Sequence, residues 1–119
     1  MLTSGDVVEL DLGVPEGREA GFLHPAVLVS AQRVLDRNPN VIQIVPLTST
    51  LRGFESEVEA EVEVEVPPED TNGLREVSSA QCQHIRAVSP ARVARSAGNV
   101  GPAVLARIRE TLAVILDIP

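Results

Sequence analysis

Glu57-Val-Glu-Ala-Glu-Val-Glu-Val-Glu-Val66 sets a carboxylate at every odd position and Val or Ala at every even one. A period of two is the signature of a β-strand with one row on a core and the other in water. Five like charges along the outer row also discourage a stray strand from docking there. The run therefore predicts a strand over 57–66 whose acidic face is solvated and structural.

Working outward, Pro67-Pro68 and Asn72-Gly73 break the chain, and a further strand is expected from Val77 to Val88. Upstream, Val7-Val-Glu-Leu-Asp-Leu12 reads as a first strand. A loop containing Gly13, Pro15, Gly17 and Gly21 follows, long for a simple hairpin and so a candidate functional loop. Pro25-Ala-Val-Leu-Val-Ser30 and Val41-Ile-Gln-Ile-Val-Pro-Leu-Thr48 read as buried strands, with Pro46 marking the end of pairing or a sheet edge. Ser89-Pro90 opens a short helix carrying Arg92 and Arg95, with serine as cap. Gly101-Pro102 opens the last helix. Its Val104, Leu105, Ile108, Leu112, Ile115 and Leu116 share a stripe, while Arg107, Arg109 and Glu110 face away. The expected fold is mostly β: about five antiparallel strands closing as a small barrel, with a packed C-terminal helix, in one domain over 1–119.

The length of 119 residues and a hydrophobic fraction of 44% suit that single domain, and a chain this short gains by burying a face in a dimer. No apolar run reaches membrane-spanning length, and the N-terminus lacks a secretory pattern. Cys82 is the only cysteine, which excludes an internal disulfide and suits a reducing cytoplasm. With two histidines beside that one cysteine, no structural metal site is expected. The net charge is −7, but without the five glutamates of the acidic strand it is only −2. Every cationic residue is arginine. Charge thus leaves a nucleic-acid partner open.

Cleaving a phosphodiester without a metal requires a proton acceptor, a proton donor and groups that stabilise the charged phosphorane. Two stretches hold such groups beside glycine loops. Arg18-Glu-Ala-Gly-Phe-Leu-His24 runs into a strand, with His24 held extended by Pro25 and able to gain or lose a proton near neutrality. Leu47-Thr48-Ser49-Thr50-Leu51-Arg52-Gly53 ends the third strand with hydroxyls and a cation. Taken singly, each is ordinary: a polar residue at a strand start, and turn-forming hydroxyls.

Gly5-Asp-Val-Val-Glu-Leu-Asp-Leu12, Gly17-Arg-Glu-Ala-Gly21 and Pro25-Ala-Val-Leu-Val-Ser30 resemble the first half of the MazF/PemK toxins. Val45-Pro-Leu-Thr48, Gln81-Cys-Gln-His-Ile-Arg-Ala-Val88 and Gly98-Asn-Val100 continue the resemblance in order along nearly the whole chain. It implies an SH3-like barrel with a C-terminal helix, the MazF/CcdB-type toxin fold, working as a cytoplasmic homodimer. It also implies a toxin of a type II toxin–antitoxin system: an endoribonuclease, or mRNA interferase, that cuts single-stranded RNA with no cofactor. The products are a 2′,3′-cyclic phosphate and a 5′-hydroxyl, and a MazE-like antitoxin silences the enzyme. Thr48 matches the family's catalytic threonine and Glu19 its loop glutamate. His24 stands where the family has an arginine, so it is either a working replacement with weaker phosphate binding or the mark of an inactive chain that binds antitoxin or RNA. Arg18, Phe22, Ser49, Arg52, Phe54, His84 and Arg86 complete the expected RNA-binding set. His84 and Arg86 share one face if their strand alternates regularly, and Phe22 and Phe54 are the only aromatics. The same barrel occurs in the gyrase poison CcdB, but this chain has no tryptophan of the kind associated with that activity.

Overall fold

Strands β1 (Asp6–Asp11), β2 (Leu23–Leu28) and β3 (Ile42–Thr48) form the centre of the sheet because their side chains are apolar on both faces. Val7, Val27, Val45 and Leu47 enter one core cluster, while Val8, Leu10, Ala26, Leu28, Ile42 and Ile44 enter a second on the opposite face. A strand buried on both sides reads as a nearly continuous apolar run rather than an alternation. The computed structural model describes residues 1–11, 23–49 and 61–119. The expected loop residues Arg18, Glu19, Phe22, Arg52 and Phe54 lie outside that description.

Among the described residues the antiparallel sheet has seven strands, in the order β4 (Glu63–Val66), β5 (Ser78–Gln81), β3, β2, β1 and β7 (Val93–Asn99), with β6 (Arg86–Val88) also pairing β3. Five were expected. One extra strand arises because 77–88 is not continuous: β5 (Ser78–Gln81) and β6 (Arg86–Val88) flank a 3₁₀ turn at Cys82–His84. The other is β7 (Val93–Asn99), whose Ala, Ser and Gly content gives little strand signal. β4 and β7 end the order, so among the described residues no pairing closes the sheet into a barrel.

In the described part of the acidic run, β4 spans Glu63–Val66 and Glu61 and Val62 are helical, while positions 57–60 of the expected strand lie outside the described residues. Val64 and Val66 do face the first core cluster. Ser89 caps a single 3₁₀ turn, Pro90–Arg92, by accepting from the Ala91 N–H. Arg95 belongs instead to β7, where its guanidinium grips Glu9 through two bonds of 2.9 and 3.1 Å. A short helix, α1 (Gln32–Leu35), joins β2 to β3.

Pro46 sits within β3, opposite Ala26, and not at a sheet edge. On the other side of β3, however, it falls between two ladders. Ile42–Ile44 pair with β6, and Leu47–Thr48 pair with β5. The missing N–H of proline is harmless at that break.

Helix α2 (Gly101–Ile115) covers the first cluster with Leu105, Ile108 and Leu112, flanked by Val104 and Ile115. Leu116, expected on the stripe, is exposed because the helix has already ended. Arg109, expected to face away, reaches back to donate to Ser4 Oγ and the Val29 carbonyl. The helix start is tied to the sheet through Asn99. Its Oδ1 accepts from the Gly101 N–H, and its Nδ2 donates to the Ser4 carbonyl and to Asp6 Oδ1. No helix among the described residues is long and apolar enough to cross a membrane. Ile108→Ala should cost about 2–5 kcal/mol in urea unfolding, as a fully buried aliphatic does, while Leu116→Ala should cost under about 0.5 kcal/mol. Equal losses would place Leu116 in the core.

Candidate functional site on the sheet face opposite the C-terminal helix

Side chains alternate along a strand, so the core clusters show which face each polar residue takes. Leu47, Ala80 and Val64 belong to the cluster under α2. Their neighbours Thr48, Ser79 and Glu63 therefore sit on the other face. His24 shares that face with Ala26 and Leu28, and Arg86 shares it with Ile44 and Val88. Ladder partners bring these residues near one another. Thr48 is directly opposite Ser79. The β2–β3 register, Ala26↔Pro46 and Val27↔Val45, carried two residues further sets His24 opposite Thr48.

β2 begins two residues earlier than expected, so His24 lies on a strand, cross-paired with Leu10 of β1, and is half-buried. Burial holds its imidazole below the ordinary value of 6.5, and the nearby Arg86 guanidinium pushes the same way. His24 is thus a neutral imidazole at pH 7, able to accept a proton. Thr48 is half-buried at the end of β3, and Ser49 is exposed just beyond it. Arg86 is exposed at the start of β6.

His84 departs from expectation. The 3₁₀ turn at Cys82–His84 cancels the alternation assumed for 77–88, so His84 and Arg86 are not set on one face by strand geometry. His84 is exposed on that turn. The Cys82 thiol is buried, and burial pushes it up to about 11, a backbone hydrogen bond opposing this and the nearby Glu63 charge adding to it. It is therefore a packing residue and not a nucleophile.

Sequence reasoning missed Ser79 and Glu63. The Ser79 hydroxyl donates to Glu63 Oε1 at 3.0 Å across 16 positions of chain, a pairing with no local signal. A cavity of about 570 Å³ lies elsewhere, between Met1, Leu2, Leu35, Pro39, Ile42 and Pro90. Ile42 is at the opposite end of β3 from Thr48, so the cavity lies on the same face of the sheet but away from the polar residues.

A pKa depressed in the folded state means that the unfolded chain binds more protons, so stability falls as pH drops from about 6.5 through the His24 midpoint. An NMR titration of the His24 ring should give a midpoint below 6.5. Arg86→Gln should raise that midpoint but leave it below 6.5, because burial is the larger cause. A midpoint at or above 6.5 in the unsubstituted protein would contradict this account.

Residues 3–116 match the family described as PemK-like, MazF-like toxin of type II toxin-antitoxin system. A relative from Mycobacterium tuberculosis named Endoribonuclease MazF9 is 32% identical, covering 99% of this chain and 98% of that protein. Among solved structures, MazF from Deinococcus radiodurans aligns with a TM-score of 0.70 at 25% identity, over 97% of this chain and 96% of that one. A mycobacterial endoribonuclease in complex with its cognate antitoxin aligns with a TM-score of 0.74 at 23% identity, over 100% and 98% of the two chains, and shares the fold. A match over almost the whole length, carried by both sequence and topology, shows that the chain belongs to the PemK-like, MazF-like toxin family of type II toxin–antitoxin systems.

Proposed function

We infer that this chain is a toxin that cleaves single-stranded RNA and is neutralised by a cognate MazE-like antitoxin. The observation that carries the reading is the full-length match to the toxin family, with a relative named as an endoribonuclease. The face bearing His24, Thr48 and Arg86 supports it, because these are the groups that cleavage needs.

In the proposed reaction the ribose 2′-oxygen attacks the adjacent phosphorus and loses its proton to the neutral His24 imidazole. The bond from phosphorus to the 5′-oxygen breaks, and that oxygen takes a proton from solvent, to which His24 then returns the proton it accepted. The products are a 2′,3′-cyclic phosphate and a 5′-hydroxyl. No water is consumed, and no metal enters the scheme. The Thr48 hydroxyl donates to a phosphate oxygen, and Arg86 supplies the positive charge that a family arginine at position 24 would otherwise bring. Placing the cation on β6 separates two tasks, proton transfer at His24 and charge stabilisation at Arg86. Ser49, Arg52, Arg18 and His84 extend the RNA contacts, Phe22 and Phe54 stack unpaired bases, and Glu19 assists the chemistry. The active form is a cytoplasmic homodimer of this single domain.

A second reading follows from His24 standing at the arginine position: a chain that binds antitoxin or RNA without cutting. Digestion of single-stranded RNA in EDTA separates the two. The active reading expects 5′-hydroxyl fragments whose yield falls with pH below the His24 midpoint, as the base becomes protonated. Thr48→Ala should slow cleavage by about 10²–10³-fold, as loss of a transition-state donor does. Arg86→Ala should also slow it, with part of the loss in substrate binding. No cleavage at any pH by this protein or by His24→Arg would leave the binding-only reading.

A further inference from the structure

Glu63 belongs by pattern to a solvated acidic row, yet the structure sets it apart. Of Glu61, Glu63 and Glu65, only Glu63 is half-buried; the other two are exposed. Its carboxylate accepts the hydroxyl proton of Ser79, which is itself buried and directly opposite Thr48. Among the described residues no cation forms an ion pair with it. Ser79, Thr48 and His24 thus make a polar row across β5, β3 and β2, whose ladder partner on β4 is the exposed Glu65; the half-buried Glu63, opposite Gln81, joins the row diagonally through its bond from Ser79. The row ends in a fixed negative charge on the face where RNA is proposed to lie.

A carboxylate repels phosphate, so any RNA lying along this row must turn its backbone elsewhere and meet Glu63 with hydrogen-bond donors. Splayed-out bases offer such donors on their Watson–Crick edges. Guanine presents two adjacent ones, N1–H and N2–H, which match the two oxygens of a carboxylate. Cytosine and adenine present one amino group. Uracil presents a single N–H between two carbonyls whose oxygens face the carboxylate unfavourably. The bond from Ser79 occupies one lone-pair position of Oε1 and fixes the carboxylate plane, leaving acceptor sites on both oxygens. We propose that Glu63, braced by Ser79, is the base-reading residue of this site and selects guanine over uracil at a nucleotide next to the scissile phosphate. The assignment rests on the RNA-cleaving reading above.

The test is digestion of a random-sequence RNA pool with ends mapped by sequencing, for the unsubstituted protein, Glu63→Gln and Ser79→Ala. The unsubstituted protein should enrich guanine and deplete uracil at one position beside the cut. Glu63→Gln, which keeps the size and an acceptor for Ser79, should lose that preference by about ten-fold, the worth of one good base contact. Ser79→Ala should blur it less. An unchanged motif in Glu63→Gln, or a slowing uniform over all sites, overturns the proposal. Fluorescence anisotropy with uncleavable 2′-O-methyl oligonucleotides differing at single bases separates the two inferences. If the protein cuts nothing but still favours guanine through Glu63, the cleavage reading fails and base reading stands. If it cuts RNA and binds all four bases alike, the reverse holds.

Discussion

The slip in pairing along one side of β3 is the constraint from which the polar face follows. Between the Leu47↔Ala80 and Ile44↔Arg86 pairs, three steps along β3 are matched by six along the partner segment. The excess is taken up by the 3₁₀ turn at Cys82–His84, and Pro46, with no N–H to offer, occupies the unpaired gap. A continuous strand in that place would keep one register throughout and could not present both Ser79 to Thr48 and Arg86 to the same face. Cys82, at the start of the 3₁₀ turn, stays in the core cluster that α2 covers, together with Ala80.

What the amino-acid sequence made legible was the part of the fold governed by local pattern. β1, β2 and β3 were readable from their apolar runs, and α2 from its stripe and its Gly101-Pro102 start. The errors share one cause, which is that long-range pairing overruled local preference. Residues 77–88 look like one strand because nothing within them reports a register change forced by β3. β7 is built from residues of weak strand propensity and exists because β1 offers it an edge, with two register shifts along the way. Of the described part of the alternating run, 61–66, β4 takes the last four residues.

At the site, residue types were readable and relationships were not. His24, Thr48 and Arg86 could be singled out from chemistry and family likeness. That the imidazole is held neutral depends on burial and on the Arg86 charge, neither of which spacing reveals. That Arg86 on β6 reaches the same face as His24 is likewise visible only once the strands are ordered. Ser79 and Glu63 were hidden because one looked like a generic strand residue and the other like a repeat of its neighbours.

The N-terminal segment is held by β7 and the start of α2, and that ordering has a temporal consequence. β1, near the N-terminus, takes β7 as its outer partner, Asp6 lying opposite Asn99. Asn99 then knots Ser4, Asp6 and the start of α2 together. The approach is close enough that a β-carbon on Gly98 would run into the Thr71 carbonyl oxygen, so the 71–73 turn locks onto the same strand. During synthesis β1, β2 and β3 emerge first and can associate, but one edge of β1 stays bare and the first core stays uncovered until α2 has left the ribosome. A chain assembled in this order completes its first core only once α2 has formed, so association of the central strands precedes closure of that core.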